Sequence, residues 1–103
     1  MTDETDQETW ARLREQLGEA TWATLAEHYE RDCLVMVSVE LDILRVAAAV
    51  ANDNTELVQQ WMDEEKIWKP SEEQTVKWGR EATSFTCVIV QPFVLAQDRG
   101  LTQ

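Results

Sequence analysis

Between Cys33 and Asn54 the spacing of apolar residues changes period midway. Leu34-Val35-Met36-Val37-Ser38-Val39 is a short β-branched run that reads as a buried strand over 33–39. From Leu41 to Ala51 the period becomes 3.6, and only Asp42 and Arg45 interrupt the apolar surface of the predicted helix. Ser38 or Glu40 is expected to begin that helix, with Asp42 where the helix dipole favours a negative charge. A strand feeding a nearly all-apolar helix marks the centre of a packed α/β-type core.

The same reading extends in both directions. Thr5 and Glu8 have capping-box spacing, and the helix they open places Trp10, Leu13 and Leu17 on one face before Gly18. Thr21 is a candidate cap for a second helix with the stripe Trp22, Leu25, Ala26 and Tyr29. These two helices are expected to form a hairpin laid on the rest of the domain. Asn52-Asp53-Asn54 ends the central helix and caps the next, whose narrow seam is Leu57, Val58, Trp61 and Met62. Lys66-Ile67-Trp68-Lys69 is brief, charged and followed by Pro70, which suits an edge strand. Ser71 and Gln74 form a second capping box, opening a short helix that runs to about Arg80 with only Val76 and Trp78 as large apolar residues. The second β-branched run, Phe85 to Val90, is expected to end or bend at Pro92, because proline cannot donate to a ladder.

The chain therefore reads as one small α/β domain (α+β-like) over residues 5–97, between a disordered 1–4 and a solvated 98–103 tail. Its three-stranded sheet (33–39, 66–69, 85–90) is covered by about five helices in the order α-α-β-α-α-β-α-β. Runs 33–39 and 85–90 are expected to be neighbours at the sheet centre.

Charge narrows the classes of partner. The chain carries 20 acidic and 9 basic side chains, a net charge of −11, spread along its length. Such a field repels phosphate backbones and anionic membranes, so neither nucleic acid nor membrane is expected as a partner. The opening residues have no basic region or apolar stretch, and no segment is long enough to span a bilayer. Cys33 and Cys87 sit in apolar runs and read as reduced, buried small hydrophobes in a cytoplasmic protein.

Residues 34–51, the Asn52-Asp53 break, Gln60-Trp61 and the closing Val88-Ile89-Val90-Gln91-Pro92-Phe93-Val94-Leu95-Ala96-Gln97 resemble a small bacterial family of uncharacterised proteins of about this length. Trp10 and Trp22 fall where that family carries aromatic residues, and the likeness runs over residues 8–97. The resemblance implies a bacterial cytoplasmic protein; it implies no activity, ligand or catalytic residue.

Candidate chemistry is sparse. His28 shares a helix face with Asp32 near Cys33, but a zinc site needs three or four ligands, so three polar residues at a helix end are the simpler account. Burial would raise a thiol pKa and leave both cysteines inert as nucleophiles. The carboxylate pairs, such as Asp63 with Glu64, lie mostly on polar helix faces, and Asp42 is explained by the dipole of its own helix. The three glycines stand alone, without a phosphate loop, and no cofactor or metal is implied. Trp68, Trp78 and Phe93 lie in or near short, polar-flanked elements, where large rings often anchor interfaces. The leading expectation is thus a non-catalytic protein-interaction or self-associating module. The alternative is a small enzyme or ligand binder with a pocket at the strand ends near Asp42, Gln91 and His28. A third idea, an acidic decoy for a basic nucleic-acid-binding protein, requires acid clustered on one face.

Overall fold

The computed structural model describes residues 11–81 and 83–98. The expected disorder of 1–4, the Thr5–Glu8 capping box, Trp10 and most of the tail lie outside them. The elements are a helical segment over 11–15 (α1), β1 (Gly18–Thr21), α2 (Trp22–Glu30), β2 (Leu34–Val37), α3 (Ile43–Ala51), α4 (Thr55–Asp63), β3 (Ile67–Trp68), α5 (Glu72–Glu81), β4 (Ser84–Val90) and β5 (Phe93–Asp98). The strands form one sheet in the order β1-β4-β5-β2-β3, parallel between β2 and β5 and antiparallel elsewhere.

The sheet is the middle of three layers, because side chains along each strand alternate between two apolar sides. Leu34, Met36, Val94, Ala96 and Phe85 face Trp22 and Leu25 of α2 and Trp78 of α5. Val37, Leu95, Val88 and Val90 face α3 and Trp61 of α4. The central helix is buried nearly all round, with Val46 and Ala47 sealed completely, as its unbroken apolar surface requires. Asp42, not Ser38 or Glu40, starts α3, and its carboxylate accepts from the Leu44 amide at 3.0 Å.

Three expectations are corrected. The sheet has five strands, not three. The segment after Pro92 returns as β5, joined to β4 through Gln91-Pro92 with a cis peptide bond, and it inserts between β4 and β2. Runs 33–39 and 85–90 therefore share a sheet without pairing with each other. Val94, Leu95 and Ala96 are buried on both sides, the usual condition of an interior strand, so the insertion removes more apolar surface from water than direct β2–β4 pairing would. Second, Gly18–Thr21 forms β1 instead of a simple helix break, pairing with Ser84–Cys87 of β4. That strand is an exposed edge whose stability comes from main-chain bonds, so it has no apolar period to announce it. Third, no helical hairpin forms: Leu13 packs in the α3/α4 layer while Trp22 and Leu25 pack on the opposite face. The first apolar strand is also shorter than 33–39, ending at Val37 and leaving Val39 70% exposed.

The β2–α3 connection is tied from three directions. Ser38 donates its amide to the Lys66 carbonyl at 2.8 Å, and Lys66 Nζ meets Glu40 at 2.6 Å. That contact draws the Glu40 carboxyl below its ordinary range and raises the Lys66 ammonium, chiefly through the hydrogen bond they share. The pair is solvent-exposed and correspondingly weak. The third tie comes from β5: Gln97 Nε2 donates to the carbonyls of Ser38 (2.8 Å) and Leu41 (2.7 Å).

Helices α2, α3 and α4 end in the same way. After each, an acidic residue adopts left-handed backbone: Asp32 (φ 62), Asp53 (φ 60) and Glu65 (φ 61). The amides that follow bond back in the two-bond Schellman pattern, for α4 Lys66 to Trp61 and Glu65 to Met62. Asp tolerates this conformation through its short polar side chain, whereas Glu does not. Glu65→Gly is thus expected to stabilise the fold by about 1 kcal/mol, the relief of Cβ crowding exceeding glycine's extra unfolded-state entropy. Chemical denaturation would register this as a higher midpoint, and a lowered midpoint would refute the strain.

Candidate functional site

Helices α3 and α4 do not cover the whole of their sheet face. Near the start of β2 and β5 they leave a cleft of about 470 Å3. Its floor is Val35 and Leu95 from the sheet, its near wall is Val46, Ala49 and Val50 of α3, and its far wall is Val58 and Met62 of α4. Ile67 and Trp68 of β3 close one side, and Phe93 stands at the hairpin end. Small Ala49 leaves room where a larger residue would fill the cleft. Met62 is 48% exposed and Phe93 37%, so the opening presents a soft thioether and an aromatic edge to solvent. The Trp68 indole is oriented by its Nε1–H, which donates to Gln74 Oε1 at 3.3 Å. Gln74 belongs to the expected capping box, which forms with reciprocal 3.2 Å bonds between Ser71 and Gln74.

The rim is polar, with one acid and one base among its residues. Asp53, Asn54, Thr55, Gln59 and Lys69 border the cleft, and Lys69 Nζ is already engaged by Asp32 at 3.0 Å. Beyond Thr55 and Gln59 the outer face of α4 continues with Glu56, Asp63 and Glu64. Gln59 and Gln60 donate to Asp63 and Glu64, at 3.0 and 3.2 Å.

The structure brings together only part of what the sequence singled out. Trp68 and Phe93 both line the cleft. Trp78 does not: it is 5% exposed on the other side of the sheet, 5.5 Å from Trp22 and 5.1 Å edge-on to Phe85. Asp42, Gln91 and His28 form no common pocket. Strand β2 begins at Leu34 beside Val94, so Gln91 in the preceding turn lies at the opposite end of the sheet from Asp42, which follows Val37. His28, half-buried, belongs to α2 on the opposite face from α3. Among the described residues no group of three or more His, Cys, Asp or Glu could hold a metal ion. Cys33 and Cys87 are free and half-buried, and burial pushes the Cys87 thiol up, away from the thiolate a nucleophile needs. Sequence reasoning passed over Val35, Val50 and Leu95, whose apolar character is indistinguishable from core. Met62 had a signal: the α4 seam is longer than its single buried residue, Trp61.

A family described as "Protein of unknown function (DUF2288)" matches residues 8–98. The chain belongs to that family. It is also similar to the solution NMR structure of PA1075 from Pseudomonas aeruginosa, at 29% identity and a TM-score of 0.79, over 98% of this chain and 93% of that one. No curated protein matches it. The family has no described activity, so chemistry must be argued from the cleft. Among the described residues no helix is long and apolar enough to cross a membrane.

Proposed function

We propose that this chain is a non-catalytic docking module whose working surface is the cleft between α3, α4 and the start of β5. The observation that supports this is the exposure of Met62 and Phe93 at the mouth of an otherwise apolar, well-walled groove. Aromatic and methionine side chains over a preformed groove are the usual anchors of a protein interface. The groove is formed by two helices on a sheet, a geometry suited to an inserted amphipathic helix. At the edge beside the cleft, strand addition has less to offer, because β3 is two residues long and runs into Pro70. The reading of a pocket near Asp42 and Gln91 has less support, since the strand register separates the two residues. We infer a cytosolic setting from the acidic composition and the two free cysteines.

Isotope-labelled protein titrated with synthetic amphipathic helices is expected to show shifts centred on Val35, Val50, Met62 and Phe93. Phe93→Asp should weaken that binding at least about ten-fold, as loss of an interface anchor does, while stability stays within about 1 kcal/mol because the ring is already partly wet. Unperturbed cleft resonances at high peptide concentration would overturn the docking reading.

A further inference from the structure

Resting on that docking reading, we propose that the occupant is a cationic amphipathic helix, with apolar residues entering the cleft and lysine or arginine flanking them. The charge around the opening points to this chemistry. Asp53 stands on the rim, and Glu56, Asp63 and Glu64 extend along the adjacent outer face of α4. None of these four carboxylates has an ion-pair partner among the described residues. Among the described residues the one cation lining the cleft, Lys69, is paired with Asp32.

An entering helix therefore meets an apolar floor bordered by an excess of negative charge, of which only Glu64 lies within electrostatic reach of a cation, Lys66. Basic flanking residues gain from that field, acidic ones are repelled, and neutral ones are indifferent. The same geometry argues against a second copy of this chain as the occupant, because each copy carries a net charge of −11. The basic residues of α1 do not supply an exception. Leu13, between Arg12 and Arg14, is packed in the core and not free to enter another cleft.

The test uses the full chain and three synthetic helices with one shared apolar face, flanked by lysine, glutamine or glutamate. Binding is measured by fluorescence anisotropy at low and high salt. The lysine-flanked helix is expected to bind roughly ten-fold tighter than the glutamate-flanked one at low salt, the sum of a few exposed charge pairs. At about 1 M salt, where the Debye length is near 3 Å, the gap should largely close. The double variant Glu56→Gln, Asp63→Asn should shrink the low-salt gap while leaving binding of the glutamine-flanked helix unchanged. Equal affinity for all three helices, or a gap untouched by the double variant, overturns the cationic occupant and leaves the docking reading intact. Failure of every helix to bind, or binding insensitive to Phe93→Asp, overturns both.

Discussion

Trp78→Ala is expected to remove about 3–5 kcal/mol of folding free energy, the usual cost of truncating a large buried aromatic. Against a total of about 5–15 kcal/mol for a domain of this kind, that is enough to leave the variant marginal or unfolded. Helix α5 is otherwise polar, and Trp78 and Thr75 are its only buried residues. The Thr75 hydroxyl is used locally, donating to the Glu72 carbonyl at 2.7 Å. Beside the Trp68–Gln74 hydrogen bond, what fastens α5 to the sheet is thus one indole, clasped between Trp22 and Phe85 in tilted and edge-on contacts. The cavity left by alanine has rigid walls, since Phe85 and Leu25 are themselves sealed from solvent. Val76→Ala on the same helix is the control: at 53% exposure it should shift stability by less than about 0.5 kcal/mol. Urea unfolding of the two variants measures the difference, and a Trp78→Ala loss below about 1 kcal/mol would show that α5 is fastened by something else.

Gln97→Leu is expected to cost about 1–3 kcal/mol, although leucine matches glutamine in size. The side-chain amide of Gln97 serves the Ser38 and Leu41 carbonyls at once, closing the loop between β2 and α3 from the far side of β5. Leucine would leave the Leu41 carbonyl facing an apolar group in a partly buried position, while the Ser38 carbonyl keeps the Leu41 amide at 3.0 Å, and removing one partner of a buried hydrogen bond costs more than removing both. Gln91, exposed in the β4–β5 turn, provides the comparison: Gln91→Leu should lie within about 0.5 kcal/mol of the parent. Hydrogen exchange at the Leu44 and Arg45 amides would localise the effect to the start of α3. Equal denaturation midpoints for the two leucine variants would remove the clamp from the account.

The contrast between Trp78 and Trp68 shows how far side-chain character alone can guide a site. Both tryptophans stand in short, polar-flanked elements, and nothing local separates them. Trp68 lies on an edge strand and borders the cleft left open by α3 and α4, while its ring packs on the α2/α5 side and bonds Gln74. Trp78 faces the sheet from a helix one layer away and is enclosed by two other rings. Phe93 follows the same logic as Trp68, its position at the end of an inserted strand placing it at the cleft mouth. The Asp42–Gln91 pairing failed for a related reason. Each residue does end a strand-linked segment, but proximity depends on which ends of the strands are neighbours.

Features encoded within one turn of chain were legible without coordinates: the buried central helix from its apolar period, the α4 start at Asn54, the Ser71–Gln74 box from its spacing, the β3 edge from its brevity and Pro70. These are set by interactions between residues a few positions apart, and such interactions leave a periodic or motif-like trace. Strand order, the insertion of β5, the pairing of β1 and the resulting cleft were decided only by the tertiary structure. Main-chain ladder bonds are the same for every residue type, so they leave no mark on side-chain pattern. Which strand lies beside which is settled by the total apolar surface that distant segments can bury together.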